Sequence, residues 1–177
     1  MQHRKIRQAR PAALDIAELR RTFGSFATGV AVATTLDPQG VPKGFTANSF
    51  TSVSLDPPLV LVCVDKTASC HGAFAAAAHF AVNILCDAQQ HVSRAFASKS
   101  ADKFADMLWV SGTTRSPIFP DSTAWLDCDV YNRVEAGDHL IVIGKVLNFG
   151  HSPQKDPLGY HRGSYIGFAA GHSGRAP

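Results

Sequence analysis

The sequence predicts a mainly β protein, an antiparallel barrel with a few flanking helices. Six or seven short runs are apolar or alternate with period two, whereas only two or three segments carry helical spacing. The connections are short and hold hairpin chemistry, most clearly Glu135-Ala-Gly-Asp138 between the runs Thr123–Val134 and His139–Phe149. No GxGxxG follows the first strand, so a dinucleotide would not be held in the manner of a doubly wound sheet.

In chain order, residues 1–14 read as a mobile arm, 15–169 as one domain and 170–177 as a frayed tail. Asp15-Ile-Ala-Glu18 has the form of a capping box, and Ile16, Leu19, Phe23 and Phe26 follow at helical spacing. These predict a helix running to Ala27, closed by Gly29, with its aromatic stripe in the core. Gly29–Thr35 is β-branched and turns at Asp37-Pro-Gln-Gly40. Gly44–Val64 alternates from Phe45 to Phe50, breaks at Pro57-Pro58 and resumes as a continuous apolar strand. A polar loop, Asp65–Ser69, leads to a helix over His71–Ala78 with Ser69 placed as its N-cap. Phe80–Leu85 is a strand, Ala88–Ala97 an amphipathic helix, Gly112–Ser122 a loop and Ser164–Phe168 a last short strand.

Composition bounds the function. The 177 residues are enough for one sizeable core, and 45% hydrophobic with 18% charged residues is ordinary for a globular protein. The net charge is +3, and much of the basic excess sits in the first ten residues (His3, Arg4, Lys5, Arg7 and Arg10), leaving the remainder near balance without a nucleic-acid footprint. No apolar run reaches the length of a membrane span, and no apolar stretch follows the basic start as in a secretory signal. Cys63, Cys70, Cys86 and Cys128 form neither a CxxC pair nor a zinc spacing. Cys63 and Cys86 lie in apolar runs and read as small buried hydrophobes, in keeping with a reducing cytoplasm.

Two stretches carry candidate chemistry. Thr46, Asn48, Ser49, Thr51 and Ser52 place short donors and acceptors beside an apolar strand. Such a wall suits the edge of a flat heterocycle with alternating carbonyls and ring nitrogens; it equally fits a Thr/Ser-rich strand facing water. The Lys66–Ser69 loop and the cluster Ser98, Lys99, Ser100 and Lys103 combine cations with hydroxyls, which favours an anion such as a phosphate. A capped surface helix and solvated lysines account for the same residues. There is no GxSxG, HExxH or paired-carboxylate motif.

The motifs together resemble the short-chain NAD(P)H:flavin oxidoreductases, the reductase components of two-component monooxygenases. They are Thr28-Gly-Val30, Gly44-Phe-Thr-Ala-Asn-Ser-Phe-Thr-Ser-Val-Ser-Leu-Asp-Pro-Pro58, Val62-Cys-Val-Asp-Lys66, Phe80-Ala-Val-Asn-Ile84, Asp102-Lys-Phe104, Gly137-Asp-His139 and Tyr160-His-Arg-Gly-Ser-Tyr165. They span Phe23 to Phe168 in the family's order. The resemblance implies an FMN-binding split β-barrel acting as a homodimer. It also implies that FMN or FAD is reduced by NADH or NADPH and released to a partner oxygenase. Thr46, Ala47, Asn48 and Ser49 would hold the pyrimidine side of the isoalloxazine, largely through backbone groups. Cys63, Val64, Asp65, Lys66 and Ser69 would follow the ribityl chain and phosphate, with Phe96 and Lys103 closing that end. His139 would meet the nicotinamide as the catalytic residue, with Tyr160, Arg162 and Tyr165 on the same face. Phe45 departs from the family, where methionine is common.

This chemistry needs no nucleophile or metal, because the two cofactors carry the hydride. The protein has to stack the rings and to place donors where negative charge develops. The alternatives are a flavin-binding or redox-sensing module without turnover, a small barrel binding single-stranded nucleic acid, and a relative of pyridoxine-phosphate oxidases. The near-neutral core disfavours the second, and the third would be expected to hold more phosphate-binding arginines.

Overall fold

The computed structural model describes residues 14–100 and 102–168. The elements in order are α1 (Ile16–Phe23), β1 (Thr28–Gly29), β2 (Ala31–Leu36), β3 (Pro42–Ala47), β4 (Thr51–Leu55), β5 (Pro58–Asp65), α2 (His71–Ala76) and β6 (His79–Ile84). A 3-10 turn (Asp87–Gln89) leads to α3 (Gln90–Ala97), followed by β7 (Val110–Ser111), β8 (Pro117–Ile118), β9 (Ala124–Ala136), β10 (His139–His151), β11 (Leu158–His161) and β12 (Ser164–Gly167). The protein is mainly β, as expected. The predicted arm and tail lie outside the described residues, apart from Leu14.

Seven strands form one antiparallel sheet in the order β3-β2-β6-β9-β10-β5-β4. β3 and β5 stand five positions apart in that order, about 24 Å in a flat sheet at roughly 4.8 Å per strand. They nevertheless approach within 8 Å at Cα, so the sheet curls back on itself. Strand alternation then turns one face inward: Val60, Val62 and Val64 of β5 meet Ala31 and Ala33 of β2, Phe80 and Val82 of β6, and Leu140 and Val142 of β10. Phe74 of α2, fully buried, joins this core. The predicted hairpin is present as two thirteen-residue strands, β9 and β10, turning at Gly137 with φ +61.

A second core lies behind β2, where Phe96 and Val92 of α3 pack with Val30, Val32, Phe119 and Leu158. Buried Asn83 fixes the segment above it, donating to the Val32 and Pro117 carbonyls and accepting from the Phe119 N–H at 2.8 Å. Gly112–Ser122 was expected to be loop; it contains β8, which pairs with β7 just before it. β1 and β11 were also unforeseen, being short and interrupted by Gly29 and Gly159.

Two expectations fail at the helices. α1 is capped by Asp15, which accepts from the Ala17 and Glu18 N–H groups, but it stops at Phe23 with Gly24 as C-cap rather than reaching Ala27. Gly24 and Ser25 hold helix poorly, and the next residues are taken into β1. Its stripe is not in the core: Phe23 is 67% and Phe26 77% exposed. Ser69 is not the N-cap of α2 either; Cys70 takes that position without a side-chain bond, after the chain has turned at Asp65–Ala68.

Candidate active site

The sheet's own geometry opens the site. β4 pairs with β5 only as far as Thr51 opposite Leu61, so the main-chain edge of β5 beyond that point has no strand beside it. Alternation directs the N–H and C=O of Cys63 into this gap, while those of Val64 point to Leu140 of β10. The chain leaving β3 crosses the gap, and the Ser49 hydroxyl accepts from the Cys63 N–H at 3.0 Å. A cleft of about 600 Å³ lies along this seam, between the 45–49 segment, the start of the β5–α2 loop, and the C-terminal end of α3.

Most predicted cofactor residues meet there: Thr46, Ala47, Asn48, Ser49, Cys63, Asp65, Ser69, Phe96 and Lys103 line the cleft, and so does His139. Two do not. The Val64 side chain is fully buried in the core. Lys66 is drawn to the β9–β10 turn, where its Nζ donates to the Gly137 carbonyl at 2.9 Å and pairs with Glu135 at 2.5 Å. Cys63, expected to be buried, is half-buried on the cleft wall, whereas Cys86 is buried as expected.

Not every wall residue has a free donor. Thr46 Oγ1 donates to the Ser93 carbonyl of α3 at 2.6 Å, which directs its proton away from the cleft. Ser49 uses its oxygen as an acceptor and keeps its own O–H, and the exposed Asn48 amide adds two donors. Asp65 is committed locally, accepting from the N–H and O–H of Thr67 at 2.7 and 2.8 Å. These bonds hold its carboxyl below the usual range, Thr67 N–H first and the nearby His139 contributing less.

At the far end the Lys103 Nζ donates to the Phe96 carbonyl at 2.9 Å, at the C-terminus of α3. Burial lowers its pKa, and no carboxylate pairs with it among the described residues. Gly44 makes the close approach behind this end possible, since a Cβ there would meet the Ala33 carbonyl and the Phe96 ring at 2.9 Å. Phe45 stacks edge-on against Phe74, with ring centres 5.1 Å apart.

His139 begins β10 opposite Asp65 of β5. Its Nδ1 lies 2.7 Å from Asp138 Oδ1. That bond lowers the Asp138 pKa, so the carboxylate is ionised and accepts, which puts the proton on Nδ1 and leaves Nε2 for another partner.

Tyr160, Arg162 and Tyr165 lie apart from this cleft. The two tyrosines pack against the second core, with Tyr165 Oη donating to Ser93 Oγ at 2.9 Å. They therefore stand behind Thr46, linked to it through Ser93. Arg162, at φ +48 in the β11–β12 turn, lines a separate hollow against α1 with Arg20 and Arg21. Thr67, Ser98 and Lys99 line the main cleft without having been assigned to it; the signal was the hydroxyl and basic cluster around each loop.

Comparison with known proteins agrees with this geometry. Residues 23–169 match the family model described as flavin reductase like domain. The chain is 53% identical over 151 residues to the reductase component of a flavin-dependent trigonelline monooxygenase from Acinetobacter baylyi, covering 85% of this chain and 48% of that protein. It thus spans about half the length of that curated relative. A Pseudomonas putida flavin reductase is 41% identical over 159 residues, covering 90% of this chain and 94% of that one. The solved structure of a Streptomyces globisporus NADH:FAD oxidoreductase, in complex with NAD and FAD fragments, superposes with a TM-score of 0.85 at 40% identity, covering 90% of this chain and 96% of that one. From its curled sheet, its seam-lining polar wall and these matches, the chain belongs to the flavin reductase like domain family.

Proposed function

We propose that this chain is an NAD(P)H:flavin oxidoreductase that reduces FMN or FAD with NADH or NADPH and supplies reduced flavin to a partner monooxygenase. The observation that carries the reading is the seam cleft, which brings the contiguous Thr46–Ser49 wall, the β5 edge at Cys63 and His139 around one space. The residues fit a flavin. Ser49 and Asn48 keep uncommitted donors for a heterocycle edge, and Lys103 is a half-buried cation whose hydrogen-bond partner among the described residues is a neutral carbonyl.

When bound, the flavin supplies the hydride-accepting ring. The protein's part is positional and electrostatic. The Ser49 hydroxyl would meet the pyrimidine edge, where a neutral donor is worth about 1–3 kcal/mol to developing negative charge, and the Cys63 carbonyl would accept from a ring N–H. Thr46 acts through its backbone, its side chain being fastened to α3. Lys103, with Lys99, holds phosphate. His139, its Nδ1–H fixed by Asp138, presents Nε2 to the nicotinamide carboxamide and orients it without removing a proton. Tyr165 and Tyr160 support the wall from behind; Arg162 meets the nucleotide away from the reacting rings.

The curled sheet with its unpaired seam is read as the split β-barrel of the FMN-binding type. Exposed Phe23, Phe26, Leu55 and Phe149 support a homodimer, since large apolar groups on a surface call for cover. Four free cysteines support the cytoplasm, and no helix among the described residues is long and apolar enough to cross a membrane. Steady NADH or NADPH oxidation on adding catalytic protein with FMN or FAD tests the reading. Flavin binding without turnover would instead identify a binding module.

A further inference from the structure

One cation of the β5–α2 loop turns away from the cleft and reaches across to the β9–β10 turn. That turn has two central residues, Gly137 and Asp138, because Ala136 pairs with His139. Gly137 takes the first position with φ +61, and a Cβ added there would meet nothing within 4 Å. The Asp138 side chain is 90% exposed. Little packing holds the turn, so its hydrogen bonds decide how firmly it stands. β5 and β10 pair as far as Asp65 opposite His139. One residue further, the Lys66 N–H donates to the Asp138 carbonyl at 3.0 Å. The Lys66 Nζ donates to the Gly137 carbonyl at 2.9 Å and pairs with Glu135 at 2.5 Å. Lys66 thus binds both peptide carbonyls of the turn and a carboxylate on the strand that enters it.

The consequence falls on the residue that follows. His139 leaves the turn directly, and Asp138 Oδ1 holds its Nδ1 at 2.7 Å. That carboxylate is aimed by the Asp138 backbone, which the Lys66 N–H fixes, and by the Gly137 peptide, which the ammonium fixes. An ammonium on a carbonyl is a charge-assisted bond, stronger than a neutral one. The pair with exposed Glu135 contributes little by itself. We propose that Lys66 is a positioning residue for His139, clamping the Gly137–Asp138 turn so that the Asp138–His139 pair presents Nε2 to the nicotinamide. The proposal rests on the flavin reductase reading above and leaves the phosphate to Lys99 and Lys103.

Lys66→Met keeps the apolar stem and deletes the ammonium. Steady-state kinetics should show the KM for NADH raised about fivefold, with kcat and flavin affinity within about twofold of wild type. A double variant, Lys66→Met with His139→Ala, should be no worse than His139→Ala alone, because the clamp acts only through the imidazole. Lys66→Arg keeps a cationic donor and should restore most of the KM. Nitrogen NMR of the imidazoles in the flavin-free protein, in alkaline buffer, adds a readout independent of turnover. Wild-type His139 should hold its proton on Nδ1, and Lys66→Met should move both ring nitrogens toward the tautomer mixture of an unheld imidazole. The same spectra show whether the variant is folded. Full additivity in the double variant, a loss of flavin affinity as large as the rise in KM, or unmoved His139 signals would overturn the clamp while leaving flavin reduction intact. A wild type that oxidises neither NADH nor NADPH in the presence of flavin would remove both.

Discussion

The Ser49 hydroxyl accepts a 3.0 Å hydrogen bond from the Cys63 N–H, joining the chain after β3 to a strand five positions away in the sheet. This bond satisfies a main-chain donor on the open edge of β5 and sets the width of the cleft. Ser49→Ala leaves that N–H without its acceptor and removes a donor from the wall. We expect a loss of about 1–2 kcal/mol in stability and about a tenfold loss in flavin affinity. Thermal unfolding and flavin titration measure the two; unaltered flavin binding would show that Ser49 only closes the seam.

His139→Ala should raise the KM for NADH much more than it weakens flavin binding, because the imidazole keeps Nε2 for another partner while the flavin wall is carried by Thr46–Ser49. A rise of about tenfold corresponds to the loss of one well-placed hydrogen bond. Steady-state kinetics beside flavin titration separate the effects, and equal losses in both would move His139 into the flavin site.

Acid should weaken the fold through Asp65 and Asp138. Hydrogen bonds from Thr67 depress the first carboxyl and the His139 imidazole depresses the second. A carboxylate with a lowered folded pKa stabilises the protein above its unfolded pKa of about 4, and that contribution is lost as pH falls through the folded value. Stability should therefore decline on the acid side. Thr67→Val removes one donor and should return the Asp65 pKa toward its ordinary value, as read by carboxyl NMR titration. An Asp65 midpoint that stays put would assign the shift to the Thr67 N–H alone.

Light scattering should give twice the mass of one chain. Phe23→Ser with Phe26→Ser should shift the protein toward the monomer, since these rings stand 67% and 77% exposed on one short helix and its exit. A monomeric wild type would leave them as a docking face for another protein.

The wall was legible because Thr46–Ser49 are contiguous and flanked by runs with strand periodicity; the β9–β10 hairpin was legible because its turn chemistry is local. The capping role of Asp15 was equally plain. What escaped depends on partners far along the chain. Helical spacing at Phe23 and Phe26 announced an apolar face without saying which surface would cover it. Lys66 and Lys103 looked alike as cations beside hydroxyls, yet Glu135 and the Gly137 carbonyl claim one and leave the other at the cleft. Thr46 gave no sign that the Ser93 carbonyl, forty-seven residues later, would accept its hydrogen bond. Arg162 and the two tyrosines share a motif with one another but not a wall with His139, because β11 pairs with β1 on one side and β12 on the other in a separate sheet.

Where β4 parts from β5 after Leu61, the peptide groups of one strand are released from their ladder and offered outward. Recognition spelled in peptide groups does not change when side chains do. Alanine scanning along β5 should accordingly under-report its contacts, since the Cys63 carbonyl survives every such substitution and its N–H is already held by Ser49. Such a lip can drift in sequence and still grip the same molecule.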